Sequence, residues 1–351
     1  MEVHKVIYLK KFIEKTQLDL EKLVTIIRER EESIRSCYAE SLNQINKDDF
    51  VKMILLDATF ILVLFLGHKS EDWKFGDPML VHPLFAAMRF DLLLLENQLP
   101  FFVIKILFDQ ASPFLQNPIS SLIELTWDFF SDYNWQKRSF PSDLEIRHFT
   151  DLLRTFMLSP PSKLEPPNKD YKPIKHLYSA TQLHEAGVKF KVGKSKCFLD
   201  IKFEKGVLEI PCLLIENDTE ALARNVMALE QTHYVGNEYI TNYFFIMDFL
   251  INTTKDVNLL CDKKIVVNYL GDNTAARQMV NNLNKGILLE NMTPEYHQLC
   301  LKLNKFYENR WHNWMATLRH DYFRSPWKSA STIAAIILLV LTFIQTIFSI
   351  L

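Results

Sequence analysis

Two triplets, Glu145-Ile-Arg-His148 and Glu230-Gln-Thr-His233, come nearest to chemistry in this chain of 351 residues. A Glu and a His three residues apart project from one helical face, and two such triplets on facing helices furnish half the ligands of a carboxylate-bridged di-iron site. Chance accounts for them equally well, because random placement of 22 Glu and 10 His yields about 0.6 triplets. Glu145 also has a competing use as the third helical residue of a capping box opened by Ser142. No metal ligand is assigned. The five cysteines (Cys37, Cys197, Cys212, Cys261 and Cys300) are dispersed, with neither a CxxC pair nor zinc-like spacing, and read as reduced thiols. The ten histidines select no nucleophile and base. GxGxxG, the P-loop, GxSxG, HExxH and the kinase signatures are all missing. The sequence therefore assigns no catalytic residue, cofactor or metal; an enzyme whose site is not recognisable from sequence stands as the alternative to a non-enzymatic protein.

Composition narrows the class. With 48% hydrophobic and 23% charged residues the chain is globular, and a net charge of -2 supplies no basic field to hold nucleic acid. Glycine, at 8 residues, lies well below its usual share of about 7%, against phosphate-cradling loops and all-β folds. The 26 phenylalanines fit an aromatic helical core.

The elements follow from periodicity. The first forty residues read as one amphipathic helix, with Val6, Leu9, Ile13, Leu20, Val24 and Ile27 at three- and four-residue steps. Two apolar runs between Phe50 and Phe108 are broken by Asp57 and by Leu99-Pro100, and read as buried core rather than membrane spans. Asn97 and Gln98 are expected to satisfy backbone groups freed where Pro100 interrupts the helix, with surface contact to a partner as the alternative. Ser142-Asp-Leu-Glu145 is expected to open a helix carrying Leu144, Phe149, Leu152, Leu153 and Phe156 on one face. Five of the fourteen prolines crowd residues 159–175, which reads as a linker or loop after a helical region at 1–158. Beyond it, 176–328 reads as an α+β region. VKFKV alternates, and two further alternating runs flank Lys205-Gly206 as a hairpin, with Pro211 at a strand end. Helices should then start near Asn217 and near Tyr234, and continue to Arg319. The fold class is mainly α with a small β-hairpin or sheet (α+β), plus one C-terminal transmembrane helix.

That last helix, at 329–351, carries the strongest signal. It contains no charged residue, and fifteen of the nineteen residues from Ile333 onward are apolar. As a helix it spans about 34 Å, enough for a hydrocarbon core of about 30 Å. Arg319, Arg324 and Lys328 outnumber Asp321 before it, while Tyr322, Phe323 and Trp327 suit the headgroup layer. With no cations after it, the chain reads as tail-anchored and single-pass in the plasma membrane or an endomembrane, its soluble domain cytoplasmic. Against that orientation stand three glycosylation sequons, at Asn217, Asn252 and Asn291, usable only in a lumenal or extracellular domain. Thr342, Gln345, Thr346 and Ser349 form one polar stripe, suited to helix association and hence a homo-oligomer; hydroxyls bonded back to their own helix are the alternative.

Five strings carry a resemblance: DLLLLENQLPFFV (Asp91 to Val103), EAGVKFK (Glu185 to Lys191), GVLEIPCLLIENDTE (Gly206 to Glu220), RNVMALEQ (Arg224 to Gln231) and WMATLRHDYFRSPWK (Trp314 to Lys328). In order and spacing they resemble the plant family called domain of unknown function 247 along nearly the whole chain. The resemblance implies a plant protein with a mostly helical soluble region, one C-terminal membrane helix and no established enzymatic activity. Members usually begin with a further segment containing Ile-Gly-Pro-Phe-His-His-Gly, which this chain is expected to lack. The function expected is a membrane-anchored interaction or recognition module with protein partners.

Overall fold

The computed structural model describes residues 2–38, 44–70, 73, 84–115, 121–141, 143–158, 171–309 and 326–350. The chain divides into two compact units, Met1–Leu158 and Ser159–Leu351. Ser142, residues 159–170 of the proline-rich segment and the flanking residues Arg319 to Arg324 lie outside the described residues.

In the first unit the amphipathic opening forms three helices rather than one: α1 (Glu2–Thr16), α2 (Leu20–Arg28) and α3 (Glu31–Arg35). Gln17 takes φ 54°, which ends α1, and the Asp19 carboxylate accepts from Glu21 N–H to open α2. All three surround or flank α4 (Lys47–Lys69), with α6 (Phe101–Ala111) and α7 (Leu122–Phe129) on other sides. α4 is long and apolar enough to cross a bilayer, yet 83% of its most apolar stretch is buried inside the protein. It is a core helix. Phe65, toward its C-terminal end, packs against Phe129, Phe130 and Phe149 with ring centroids 4.4 to 5.9 Å apart. Asp57, the polar break in α4, pairs with Lys5 of α1 at 2.6 Å.

Between α5 (Leu84–Asp91) and α6 the Glu96-to-Pro100 string makes a non-helical crossing. The Asn97 amide donates to Asp91 C=O, and the Gln98 amide donates to Leu92 C=O and Leu94 C=O at 2.8 and 2.5 Å. The Gln98 carbonyl oxygen accepts from Phe149 N–H at 2.8 Å and Thr150 N–H at 3.3 Å, the first two amides of α8 (Phe149–Met157). Phe101 N–H donates in return to Arg147 C=O, and the Thr150 hydroxyl to Leu93 C=O. This corrects the helix start expected at Ser142 to Glu145: residues 143–148 are irregular, and α8 is capped by a side chain 51 residues away.

The second unit is α+β. β2 (Lys202–Glu204) and β3 (Val207–Ile210) form the expected hairpin, pairing Glu204 with Val207 and Lys202 with Glu209. Lys205 and Gly206 take φ 49° and 76°, as a type I′ turn requires, and a side chain on Gly206 would press on the Phe306 ring at 3.3 Å. β1 (Lys189–Val192) joins β3 in parallel, giving the order β1-β3-β2. β4 (Leu213–Ile215) pairs in parallel with β5 (Val266–Asn268), a strand inside the stretch expected to be helical throughout.

Around the sheets lie α9 (Ala180–Glu185), α10 (Thr219–His233), α11 (Tyr239–Leu250), α12 (Thr254–Asp262), α13 (Asn273–Leu283) and α14 (Pro294–Glu308). α11 begins five residues later than the sequence suggests, after a turn at Gly236 (φ 86°). α15 (Pro326–Ile350) is the terminal apolar helix.

Buried carboxylates hold the helix starts of this unit. Glu230, fully buried on α10, accepts from Ile240 N–H, Thr241 N–H and the Thr241 hydroxyl, at 3.3, 2.9 and 2.8 Å. Asp256, also fully buried, accepts from Thr253 N–H and hydroxyl at its own helix and from Thr181 N–H at the start of α9. Burial pushes the Asp256 carboxyl pKa up, but the bonds from Thr181 and Thr253 outweigh it and hold the group below its ordinary value.

Two outcomes follow. Gln98→Leu should destabilise the protein by about 3 kcal/mol, since it strands two amides and two carbonyls, whereas Asn97→Ala should cost less than about 1 kcal/mol. Equal melting temperatures for Gln98→Leu and wild type would refute the structural role. Asp256→Asn should cost about 2 kcal/mol at pH 7. Because the folded pKa is depressed, the wild-type advantage is full above the unfolded carboxylate pKa of about 3.9 and fades as pH falls below it. Thermal melts of both proteins from pH 7 to pH 3 check this; a gap that widens on acidification contradicts it.

Candidate functional site

The two Glu-x-x-His triplets fall in different units. Glu145 is exposed in the irregular stretch before α8, while the Glu230 carboxylate caps α11 and His233 Nδ1 lies 2.8 Å from the Thr232 hydroxyl. Among the described residues no group of three or more His, Cys, Asp and Glu is placed to hold a metal ion. No disulfide joins the five cysteines. Burial raises the thiol pKa of Cys37, Cys212 and Cys261, and pushes that of Cys300 up to about 12, so these four are protonated at neutral pH.

A cleft of about 340 Å³ opens in the second unit, at the small end of ligand sites, which run from about 300 to 1,000 Å³. One wall is the continuous stretch 199–204, ending in β2; the other is α14, through Tyr296, Leu299 and Lys302. Tyr239, at the start of α11, and Thr293, Glu295 and Gln298, at and near the start of α14, complete the lining, which carries the acids Asp200, Glu204 and Glu295 against Lys202 and Lys302. The Tyr296 hydroxyl is buried and donates to Leu199 C=O at 2.6 Å, locking the two walls together at one end. Burial raises its pKa well above the usual tyrosine value, which keeps the hydroxyl a donor. At the other end the Phe203 and Phe306 rings meet edge to face at 5.6 Å. Sequence patterning did not single out this cleft: its two walls lie about a hundred residues apart, and neither carries a motif.

The remaining sequence-derived sites lie elsewhere. On α15, Ala330–Ile347 has none of its length buried, unlike α4. Thr342 and Thr346 donate to Leu338 C=O and Thr342 C=O at 2.6 and 2.8 Å, so both hydroxyls are satisfied within the helix. Gln345 is exposed on the same face, and Ser349 continues that face by position. Of the sequon asparagines, Asn217 and Asn252 are exposed in loops and Asn291 is half-buried.

The family model described as "Plant protein of unknown function" (DUF247) matches residues 1–341. The chain is similar to the UPF0481 protein At3g47200 of Arabidopsis thaliana, 29% identical over 358 residues that cover 94% of this chain and 73% of that protein. It is also similar to the putative UPF0481 protein At3g02645 of Arabidopsis thaliana, 27% identical over 169 residues, or 48% of this chain and 32% of that one. No solved structure matches. With 341 of its residues matched, the chain belongs to DUF247, a family of plant proteins of unknown function.

Proposed function

We propose that the chain is a membrane-anchored, non-enzymatic module that binds other proteins, with its soluble units on the cytoplasmic face. The observation that carries the anchor is the contrast between two helices of similar composition: α4 buries most of its apolar stretch inside the first unit, whereas in α15 no residue of Ala330–Ile347 is buried among the described residues. Ten large apolar side chains from Ile333 to Ile347 are 42 to 72% exposed. At roughly 1 kcal/mol for each half-exposed side chain, leaving them in water costs on the order of 10 kcal/mol. A bilayer removes that cost. The cytoplasmic orientation is supported by the excess of Arg319, Arg324 and Lys328 over Asp321 ahead of the helix.

Within the bilayer one group of the polar stripe, the Gln345 amide, carries the strongest demand for a partner. Thr342 and Thr346 already bond to their own helix, so Gln345 supplies the amide that gains from a second helix, at about 0.6 to 2 kcal/mol. A second copy of α15 offers that amide a self-complementary partner, giving a homo-oligomer.

Full-length protein expressed in plant cells should stay in membranes through a carbonate wash and show no mobility shift with endoglycosidase. Release by carbonate would refute the anchor. A shift would reverse the orientation, through the exposed Asn217 and Asn252. Gln345→Leu should weaken cross-linked dimers in membranes about 3- to 30-fold, while Thr342→Val with Thr346→Val should leave them unchanged; undiminished cross-linking of Gln345→Leu refutes the pairing.

A further inference from the structure

We propose that the second unit docks against the anionic headgroups of the bilayer that holds α15, through an exposed lysine track along β1 and the turn that follows it. The proposal deepens the anchored, cytoplasmic reading above and rests on it. Lys189, Lys191, Lys194 and Lys196 fall within eight residues, and all four are exposed. From Ala186 to Leu199 there is no acid, where the chain's average composition would place about two acids and two cations. Among the described residues none of the four has an ion-pair partner, whereas the next lysine, Lys202, is paired with Asp200 at 3.1 Å.

The track sits on a fixed scaffold. β1 is an edge strand, and Phe190 between Lys189 and Lys191 is buried, so alternation turns both lysines to the solvent face of the sheet. Gly193 N–H donates to Ile210 C=O at 2.8 Å, carrying the ladder one residue past the strand, and a Cβ at Gly193 would meet Pro211 N at 3.0 Å. Beyond it the Ser195 hydroxyl accepts from Cys197 N–H at 3.2 Å, and Cys197 and Phe198 are buried, so Lys194 and Lys196 project from a turn held at both ends. Protection of a sheet edge against pairing accounts for Lys189 and Lys191. It does not account for Lys194 and Lys196, which lie past the strand. All four cations are lysines, compact charges that suit a diffuse layer of phosphates, whereas one planar anion is better held by the fork of an arginine. Proximity favours that layer over a soluble polyanion. Sixteen residues join Asn309, just past α14, to Pro326 of α15, so the two ends lie within about 60 Å and the unit meets the membrane at an effective concentration on the order of millimolar. Each lysine at an anionic surface then favours the docked state about fivefold.

The test reconstitutes the full chain in phosphatidylcholine vesicles with or without phosphatidylglycerol. A trace of membrane-impermeant acetylating reagent modifies the outward-facing molecules, and mass spectrometry reads the rate at each lysine, with exposed Lys263 and Lys264 of the same unit as internal references. Relative to these, Lys189, Lys191, Lys194 and Lys196 should react about tenfold more slowly in the phosphatidylglycerol vesicles, and molar salt should restore the rate by shortening the screening length to about 3 Å. Lys194→Glu with Lys196→Glu leaves the strand pairing untouched and should return Lys189 and Lys191 to the rate seen in phosphatidylcholine. Equal rates in the two vesicles, protection that survives molar salt, or protection that falls equally on Lys263 and Lys264 each overturns the docking. Stronger protection by added polyglutamate than by phosphatidylglycerol assigns the track to a soluble polyanion and overturns it as well. Carbonate extraction tests the anchor separately: a protein retained in membranes whose lysines react equally in both vesicles loses the docking alone, so the two failures are distinguishable.

Discussion

A helix that ends inside a protein leaves amides and carbonyls that water cannot reach, and leaving one unpaired costs about 1 to 3 kcal/mol. That demand explains where this chain places its long polar side chains. Gln98 serves the start of α8, and Gln136 serves its end by donating to Phe156 C=O and Met157 C=O. Glu230 serves α11, Asp256 serves α9 and α12, and the Asn281 amide donates to Ile251 C=O beyond α11. Residues of the types that do chemistry in enzymes are here committed to closing backbone ends. The Glu-x-x-His pattern at Glu230 is one such case: its carboxylate spends its lone pairs on three donors of the next helix.

How much was legible in sequence depends on how far each determinant lies from its partner. The hairpin at Lys205-Gly206 was legible because alternation and turn residues are adjacent. The two parallel pairings were not, since β5 lies some fifty residues beyond β4 and is three residues long, too short for a period to declare itself. The start of α8 was misassigned for the same reason, because its cap is Gln98. By contrast Thr253-x-x-Asp256 and Ser179-x-x-Gln182 are capping boxes whose determinants are local in sequence. The amino-terminal helices are legible as helical, but Asp19 as the start of a new helix is not, because it is one charge among many in that stretch. Of the candidate site, Lys202 to Glu204 were seen only as strand, and Tyr296 carried no signal.

Length and apolar composition do not separate a core helix from a membrane span. α4 and α15 both satisfy them, and α4 includes Asp57, which pairs with Lys5 at a half-buried position. What differs is company: α4 is enclosed by other helices of its unit, while no residue of the Ala330–Ile347 stretch of α15 is buried among the described residues.

The Gln98 tie also bears on the order in which the first unit assembles. Two of its four bonds are local, to Leu92 C=O and Leu94 C=O, and two join Gln98 to Phe149 and Thr150, so a growing chain that has passed Gln98 must extend through Thr150 before the crossing can close. Until then the apolar face of α4 lacks Phe149 against Phe65 and stays open to solvent and to neighbouring chains. An interval of that kind is the period in which holding chaperones act, and shortening it by permuting the chain would ease folding without altering one native contact.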